Sequence, residues 1–242
     1  MRVINNTYNS NYYTVIILYL TGIDYDMNLW YNVSMVDIYY EDAFTTLYLG
    51  DCKDVMKALP ADFIDLVLTD PPYTKETYYY AYKALADEAP RLMTYGASLV
   101  TLVGQYLLPE VTALFWNRLR MNWIIWMEQP RAHAIMRGFG IEVTGMPNLW
   151  YVKGKGIART LMMDSFTLTG TDGITKPLHP WQKDESWADY FIQHLTLPGN
   201  VILDPFCGSG TTLASAKRLG RIGIGAEINE KNCKQIVGRL NG

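Results

Sequence analysis

Three short apolar runs in this 242-residue chain each stop on an acid. Asp65–Thr69 (DLVLT) leads into Asp70, Val201–Leu203 into Asp204, and Ile222–Ala226 into Glu227. None alternates apolar with polar residues as a half-exposed strand would, so each reads as a strand covered on both faces. Helical stretches lie between and around them: Cys52–Leu59, Tyr78–Met93, Leu108–Leu119, Ser186–Thr196, Thr211–Leu219 and Asn229–Leu240. Further strands are expected at Phe44–Leu49, Ser98–Val103, Trp123–Met127 and Asn148–Val152. Strands in turn with helices specify an α/β fold, a mostly parallel twisted sheet with helices on both faces. Ligands of such sheets gather beyond the carboxyl ends of the strands, where these acids stand.

Composition narrows the function classes. The chain is 49% hydrophobic and 19% charged, with a net charge of -3, so no global basic field announces a nucleic-acid partner. Cys52, Cys207 and Cys233 lack CxxC spacing, and with only three histidines neither a disulfide framework nor a metal site is expected. Val15–Leu20 is far shorter than the roughly 20 apolar residues of a membrane span. It also lacks the flanks of a signal peptide. These features predict a soluble cytoplasmic protein, of a prokaryote or a phage-infected cell, with no membrane partner. Residues 1–35 are rich in Asn and Tyr without a sustained period. They are expected to be an N-terminal extension or the product of a mistaken start, with the fold occupying 36–242.

Around Asp204 the sequence reads VILDPFCGSGTT. A strand ends in an acid, and a turn of small residues opens a helix. Small residues let a backbone approach a ligand closely, and a helix N-terminus offers free N–H groups. Glu227, at the end of the next strand, can bind both hydroxyls of a ribose. The pattern suits a nucleoside cofactor and differs from a P-loop, because no Gly-Lys-Ser/Thr follows. Alone, Gly208-Ser209-Gly210 also fits a plain strand-to-helix turn. The second cluster is Asp70-Pro71-Pro72-Tyr73. Each proline fixes φ, deletes an N–H and biases the residue before it towards extended geometry. Such a turn can aim a carboxylate and a backbone carbonyl at one amino group, with Tyr73 over an aromatic base. Alone, it is also a Pro-rich turn with a packed tyrosine.

Together, the two clusters resemble the amino-methylating DNA methyltransferases, which make N6-methyladenine or N4-methylcytosine. Asp70–Tyr73 looks like their catalytic motif and Val201–Thr212 like the methionine side of their cofactor site. Gly225–Asn229 looks like the ribose-holding motif, and Lys176–Gln182 like the motif that closes over the cofactor. The resemblance covers about residues 37–242, with the catalytic motif first, as in the circularly permuted β arrangement. It implies a Rossmann-like, permuted methyltransferase fold and S-adenosylmethionine as cofactor. It implies catalytic roles for Asp70, Pro71, Pro72 and Tyr73. Cofactor contacts are implied for Asp51, His179, Asp204, Pro205, Phe206, Gly208, Ser209, Gly210, Thr211 and Glu227, and no metal. Only one helix follows Glu227, so the strand next to it in an unpermuted sheet must lie elsewhere. Phe44–Leu49 is the candidate. Asp51 would then stand near the cofactor adenine; it is equally placed to cap the following helix, and both can hold.

The implied reaction is in-line methyl transfer to an exocyclic amino group of a base flipped out of double-stranded DNA. Adenine N6 is favoured over cytosine N4, because many cytosine-N4 enzymes carry Ser where Asp70 stands. Cys207 is read as a packing residue. Arg118, Arg120, Arg131, Arg137, Lys153, Lys155 and Arg159 crowd the segment between the catalytic and closing motifs. They suggest phosphate contacts around a small target-recognition insertion at about 128–175. Ala132–Thr144 and Gly154–Asp172 are the candidate reading elements, and a merely solvated basic face is the alternative. So short a segment implies a short target, limited specificity or help from a second subunit, as in a homodimer. Lacking a nuclease motif, the chain looks like the modification half of a restriction-modification pair or a solitary enzyme. RNA or protein-glutamine methyltransferases are the competing enzymes; they commonly carry Asn at the position of Asp70. A catalytically silent DNA-binding module is the competitor from another class.

Overall fold

The computed structural model describes residues 36–74, 76–128, 134–136, 138, 140–156, 158–168 and 185–242. The segment 1–35 and the stretch Lys176–Gln182, with His179, lie outside the described residues. The strands are β1 (Asp37–Glu41), β2 (Thr45–Leu49), β3 (Ile64–Thr69), β4 (Met93–Leu102), β5 (Arg120–Glu128), β6 (Ala134–Met136), β7 (Ile141–Val143), β8 (Gly145–Val152), β9 (Ser165–Thr167), β10 (Val201–Asp204) and β11 (Ile222–Glu227). The helices are α1 (Cys52–Ala58), α2 (Tyr78–Leu92), α3 (Leu108–Phe115), α4 (Glu185–Leu195), α5 (Thr211–Arg218) and α6 (Glu230–Asn241).

Among the described residues, nine strands form one sheet in the order β1-β2-β11-β10-β3-β4-β8-β5-β9, and β6 and β7 form a separate two-stranded ribbon. From β2 to β4 every neighbouring pair is parallel. β8 runs against both β4 and β5, β9 runs with β5, and β1 runs against β2. The mostly parallel sheet expected from the apolar runs is the one observed. The strand Phe44–Leu49 corresponds to β2, which lies parallel beside β11, with Leu49 level with Glu227.

The apolar runs have a packing reason. Successive strand residues point to opposite faces, and here both faces are covered. Val67, Leu99, Leu149 and Leu203 pack with α1, α2 and α3 in one layer. Leu66, Leu68, Val100 and Ile202 meet Trp187 and Phe191 of α4 and Ala216 of α5 in the other. Leu47 of β2 joins Leu213, Ile236 and Leu240 beneath α6. Among the described residues no helix is long and apolar enough to cross a membrane.

The boundaries differ where no residue marks them. β4 begins at Met93, five residues before the expected Ser98, because the cap of α2 is itself extended (φ -70, ψ 139) and runs straight into the strand. α3 stops at Phe115 rather than Leu119, and Asn117 just beyond takes φ 62. Strands β1, β6, β7 and β9 were not expected from the sequence; each is short and lies outside the doubly covered centre.

β11 is packed tightly onto α5. A Cβ built on Gly225 would overlap Cys207 Sγ and Leu213 Cδ1. Overpacking of this kind costs about 1–3 kcal/mol. Gly225→Val is therefore expected to lower the urea midpoint with little change in m-value. A midpoint equal to that of the parent protein would show that β11 and α5 can separate freely.

Candidate active site

The site follows from the pairing of β3 with β10. The two strands are parallel neighbours, with Ile202 level with Leu66 and Leu203 level with Val67. Their following turns, Asp70–Tyr73 and Pro205–Gly210, therefore leave the same edge of the sheet side by side. Beyond the backbone pairing, the buried Thr69 hydroxyl donates to Asp204 Oδ1 at 2.7 Å, across 135 residues of chain. Asp204 is level with Gly225 on β11, so Glu227 emerges at the same edge. β2 brings Asp51 there as well. The described acids singled out in the sequence are thus gathered along one carboxyl edge.

In the proline turn, Asp70 and Tyr73 are half-buried, Pro71 is buried and Pro72 is exposed. The Tyr73 hydroxyl donates to Asp70 Oδ1, and the Tyr106 hydroxyl reaches the Tyr73 carbonyl at 3.5 Å. In the glycine turn, Gly210 caps α5 with φ 76 and donates to the Cys207 carbonyl at 2.7 Å. A side chain there would be strained and would press on Ile236, so glycine is required. A Cβ at Gly208 would instead meet nothing closer than the Phe206 carbonyl at 3.9 Å, leaving the face of the turn open for a ligand. Pro205 is buried beneath it.

Glu227 is held by two backbone donors, Gly208 N–H at 2.9 Å and Asn229 N–H at 2.8 Å. It therefore shapes the glycine turn as well as facing the site's edge. Asp51 caps α1 by accepting from Lys53 N–H at 2.9 Å, and it also accepts from the Tyr80 hydroxyl at 2.8 Å. The capping reading holds, and α2 adds a second hold. Ser209 and Thr211 share a hydroxyl contact at 3.2 Å. Arg239 of α6 braces both, donating to the Ser209 carbonyl at 3.2 Å and to Thr211 Oγ1 at 3.1 Å. Thr69, Tyr80, Tyr106 and Arg239 were missed from sequence, because nothing local marks which distant group each will meet.

A family model described as DNA methylase matches residues 148–238. The type II methyltransferase M.ScaI of Streptomyces caespitosus is 24% identical over 253 residues, covering 84% of this chain and 83% of its own. The chain is thus similar in sequence to DNA methylases over its C-terminal part and to a type II methyltransferase over most of its length. Its fold is that of the M1.HpyAVI–SAM complex, with a TM-score of 0.69 at 22% identity, over 82% of this chain and 100% of that one. It is also that of the cytosine-N4-specific PvuII DNA methyltransferase, with a TM-score of 0.68 at 17% identity, over 84% and 95%.

The described part of the basic segment lies away from the carboxyl edge. In the sequence the basic residues Arg118, Arg120, Lys153 and Arg159 read as phosphate contacts, with a solvated basic face as the alternative. They stand at the amino edge, the opposite end of the strands. Arg120 is level with Val152, which is level with Ser98 and so with Leu66, near the start of β3. Arg118 pairs with Asp87 and Lys153 with Asp62, and Arg159 N–H donates to the His194 carbonyl at the end of α4. Arg131 and Arg137 lie outside the described residues. An open cavity of about 400 Å³ between Phe115, Trp116, Arg120 and Tyr151 also belongs to this far edge and has no part in the site.

Electrostatics single out Asp204. Burial pushes its carboxyl up to about 6. Donors from Thr69, Thr212 and Phe206 N–H oppose the shift, and the nearby Asp70 charge adds to it. Burial also raises the Cys207 thiol well above its usual range, helped by Asp204 and Glu227, so it stays neutral and acts as packing. An acid whose folded pKa is raised favours folding in its protonated form. That contribution is complete below the unfolded value near 3.8 and is lost as pH rises through about 6. Asp204→Asn mimics the protonated form. It is expected to be more stable than the parent above pH 6, by up to about 3 kcal/mol, with the gain vanishing near pH 4. Urea unfolding across this range measures it; a gain that does not depend on pH would remove the raised carboxyl as its cause.

Proposed function

We propose that this chain transfers a methyl group from S-adenosylmethionine to the exocyclic amino group of a base flipped out of double-stranded DNA, N6 of adenine ahead of N4 of cytosine. The observation that carries the reading is the side-by-side exit of the Asp70 turn and the Gly208 turn from neighbouring parallel strands. A methyl acceptor held by the first and a donor held by the second would meet across one narrow edge.

The residues fit the cofactor. The open face of Gly208, the first turn of α5 and the braced Glu227 carboxylate make a cradle with hydrogen-bonding groups for a nucleoside and an amino acid. When bound, the cofactor supplies a methyl group already activated on a positively charged sulfur. The chain's own task is then orientation. An exocyclic amino nitrogen is a weak nucleophile, because its lone pair is delocalised into the ring. In our reading its two N–H groups donate to Asp70 and to the Pro71 carbonyl, taking over the acceptor that the Tyr73 hydroxyl uses here. The nitrogen becomes more tetrahedral and turns its lone pair towards the methyl carbon. The N–C bond forms as the S–C bond breaks with its electron pair staying on sulfur, and the extra proton leaves through Asp70 to water. Alignment of two bound reactants can supply about 7–11 kcal/mol of such a barrier. Tyr73, and Tyr106 beside it, offer rings against which a flipped base can stack; flipping costs a few kcal/mol.

The preference for adenine rests on Asp70 alone. A shared fold does not decide the base, since the PvuII enzyme with the same fold is cytosine-N4-specific. Mapping modified bases in DNA from a host expressing the chain tests base and sequence together; N4-methylcytosine would reverse the preference, and an unmodified genome would count against the activity.

Asp70→Ala is expected to abolish methyl transfer while calorimetry finds cofactor binding close to wild type. Glu227→Ala and Gly208→Val are expected to weaken cofactor binding, the first by freeing the Gly208 turn and the second by filling its open face and straining a turn held at φ 51. Retained turnover in Asp70→Ala would dismiss Asp70 from catalysis. Unchanged affinity in Glu227→Ala would remove Glu227 from the cofactor site.

A further inference from the structure

We propose that Thr69 is a positioning residue whose hydroxyl locks the Asp70 turn to the Asp204 turn, fixing the separation between the methyl-acceptor and methyl-donor sites. This rests on the functional reading above and deepens it.

Thr69 is the last residue of β3 and immediately precedes Asp70. It is fully buried, as is nearly all of Asp204. Its backbone is level with Thr101 of β4 on one side. On the other side the register between β3 and β10 runs to Leu203 and Val67, and the Thr69 hydroxyl continues the link where both chains leave the sheet. Its acceptor, Asp204 Oδ1, also accepts from Phe206 N–H at 3.1 Å. One carboxylate oxygen thus ties the residue before Asp70 to the first turn of the glycine loop.

A buried threonine could satisfy its hydroxyl locally, as Thr196 does on the Ile192 carbonyl of its own helix. Thr69 reaches across strands instead, to a carboxylate that is costly to bury unless it is well hydrogen-bonded. The groups facing Asp204 are the Thr69 hydroxyl from β3, Asp70 beyond it, the Thr212 hydroxyl from α5, and Phe206 N–H and Cys207 from its own turn. Asp70 acts against the charged form of Asp204 and the hydroxyls act for it. Removing Thr69's donor therefore both loosens the tie and tilts Asp204 towards its neutral form.

Thr69→Val keeps the shape and deletes the donor, while Thr69→Ser keeps the donor. Calorimetry with S-adenosylmethionine should show affinity about tenfold weaker in Thr69→Val, with Thr69→Ser restoring most of it. The acid limb of the methyl-transfer pH profile should move to higher pH in Thr69→Val and return in Thr69→Ser. A carboxyl carbon NMR titration of the cofactor-free protein, with Asp204 assigned through Asp204→Asn, should show Asp204 titrating at higher pH in Thr69→Val alone. Wild-type affinity and an unmoved Asp204 titration in Thr69→Val overturn the proposal. So does a Thr69→Ser variant no better than Thr69→Val, because the hydroxyl would then not be the agent. If the parent protein methylates no DNA, the functional reading fails separately, and the cofactor affinity and the titration still decide the role of Thr69.

Discussion

The parallel pairing of β3 with β10 is the constraint on which the site depends. Two turns far apart in sequence become neighbours because their strands run the same way at matched register, so both must leave from the carboxyl edge. Had β10 run antiparallel to β3, its glycine turn would lie at the other end of the sheet from Asp70. Apolar burial on both faces holds this register. Leu66, Leu68 and Ile202 face one helical layer while Val67 and Leu203 face the other. A slip by one residue would exchange every side chain between layers, and it would carry Thr69 away from Asp204.

The same edge concentrates carboxylates, and the chain spends its polar groups there on holding them. Glu227 takes two backbone donors, Asp204 takes the Thr69 and Thr212 hydroxyls and an N–H, and Asp51 takes an N–H and a tyrosine hydroxyl. Each bond lowers the cost of keeping an acid out of water, and each also fixes a turn. Asp204 still keeps a raised pKa, so its burial is not fully offset. Uncompensated burial of a titratable group in a fold's ligand-binding edge is characteristic of a working site.

The central sheet was legible because strands covered on both faces must be apolar throughout, and Asp65–Thr69, Val201–Leu203 and Ile222–Ala226 carry that pattern openly. The start of β4 was not, because Met93 passes from helix to strand without a turn residue. The acids and glycines of the site were legible because they sit at strand ends, where chemistry and local geometry coincide. Thr69, Tyr80 and Arg239 were not, because each acts on a residue that only the three-dimensional pairing brings near. The position of the basic segment was not legible for a related reason. Nearness in sequence to the catalytic motif says nothing about which end of the sheet a residue occupies. β5 starts at the amino edge and β8 ends there, so the residues outside this pair, Arg118 to Arg120 and Lys153 onward, are carried away from Asp70.

That reversal also shows where a DNA duplex would have to be met. Between Glu128, where β5 ends, and Gly145, where β8 begins, the chain turns round at the carboxyl edge, and the β6–β7 ribbon belongs to this excursion. The chain after β9 leaves the sheet at the same edge, because Thr167 is level with Glu128. α2 begins at the same edge with exposed Tyr79 and Tyr80, and Tyr106 is exposed beside Tyr73. The described basic residues Arg118, Arg120, Lys153 and Arg159 stand at the far edge and do not serve a duplex held here. The tyrosine rings at this edge offer surfaces on which a flipped base could stack. Such contacts are less sensitive to salt than a row of lysines on phosphates.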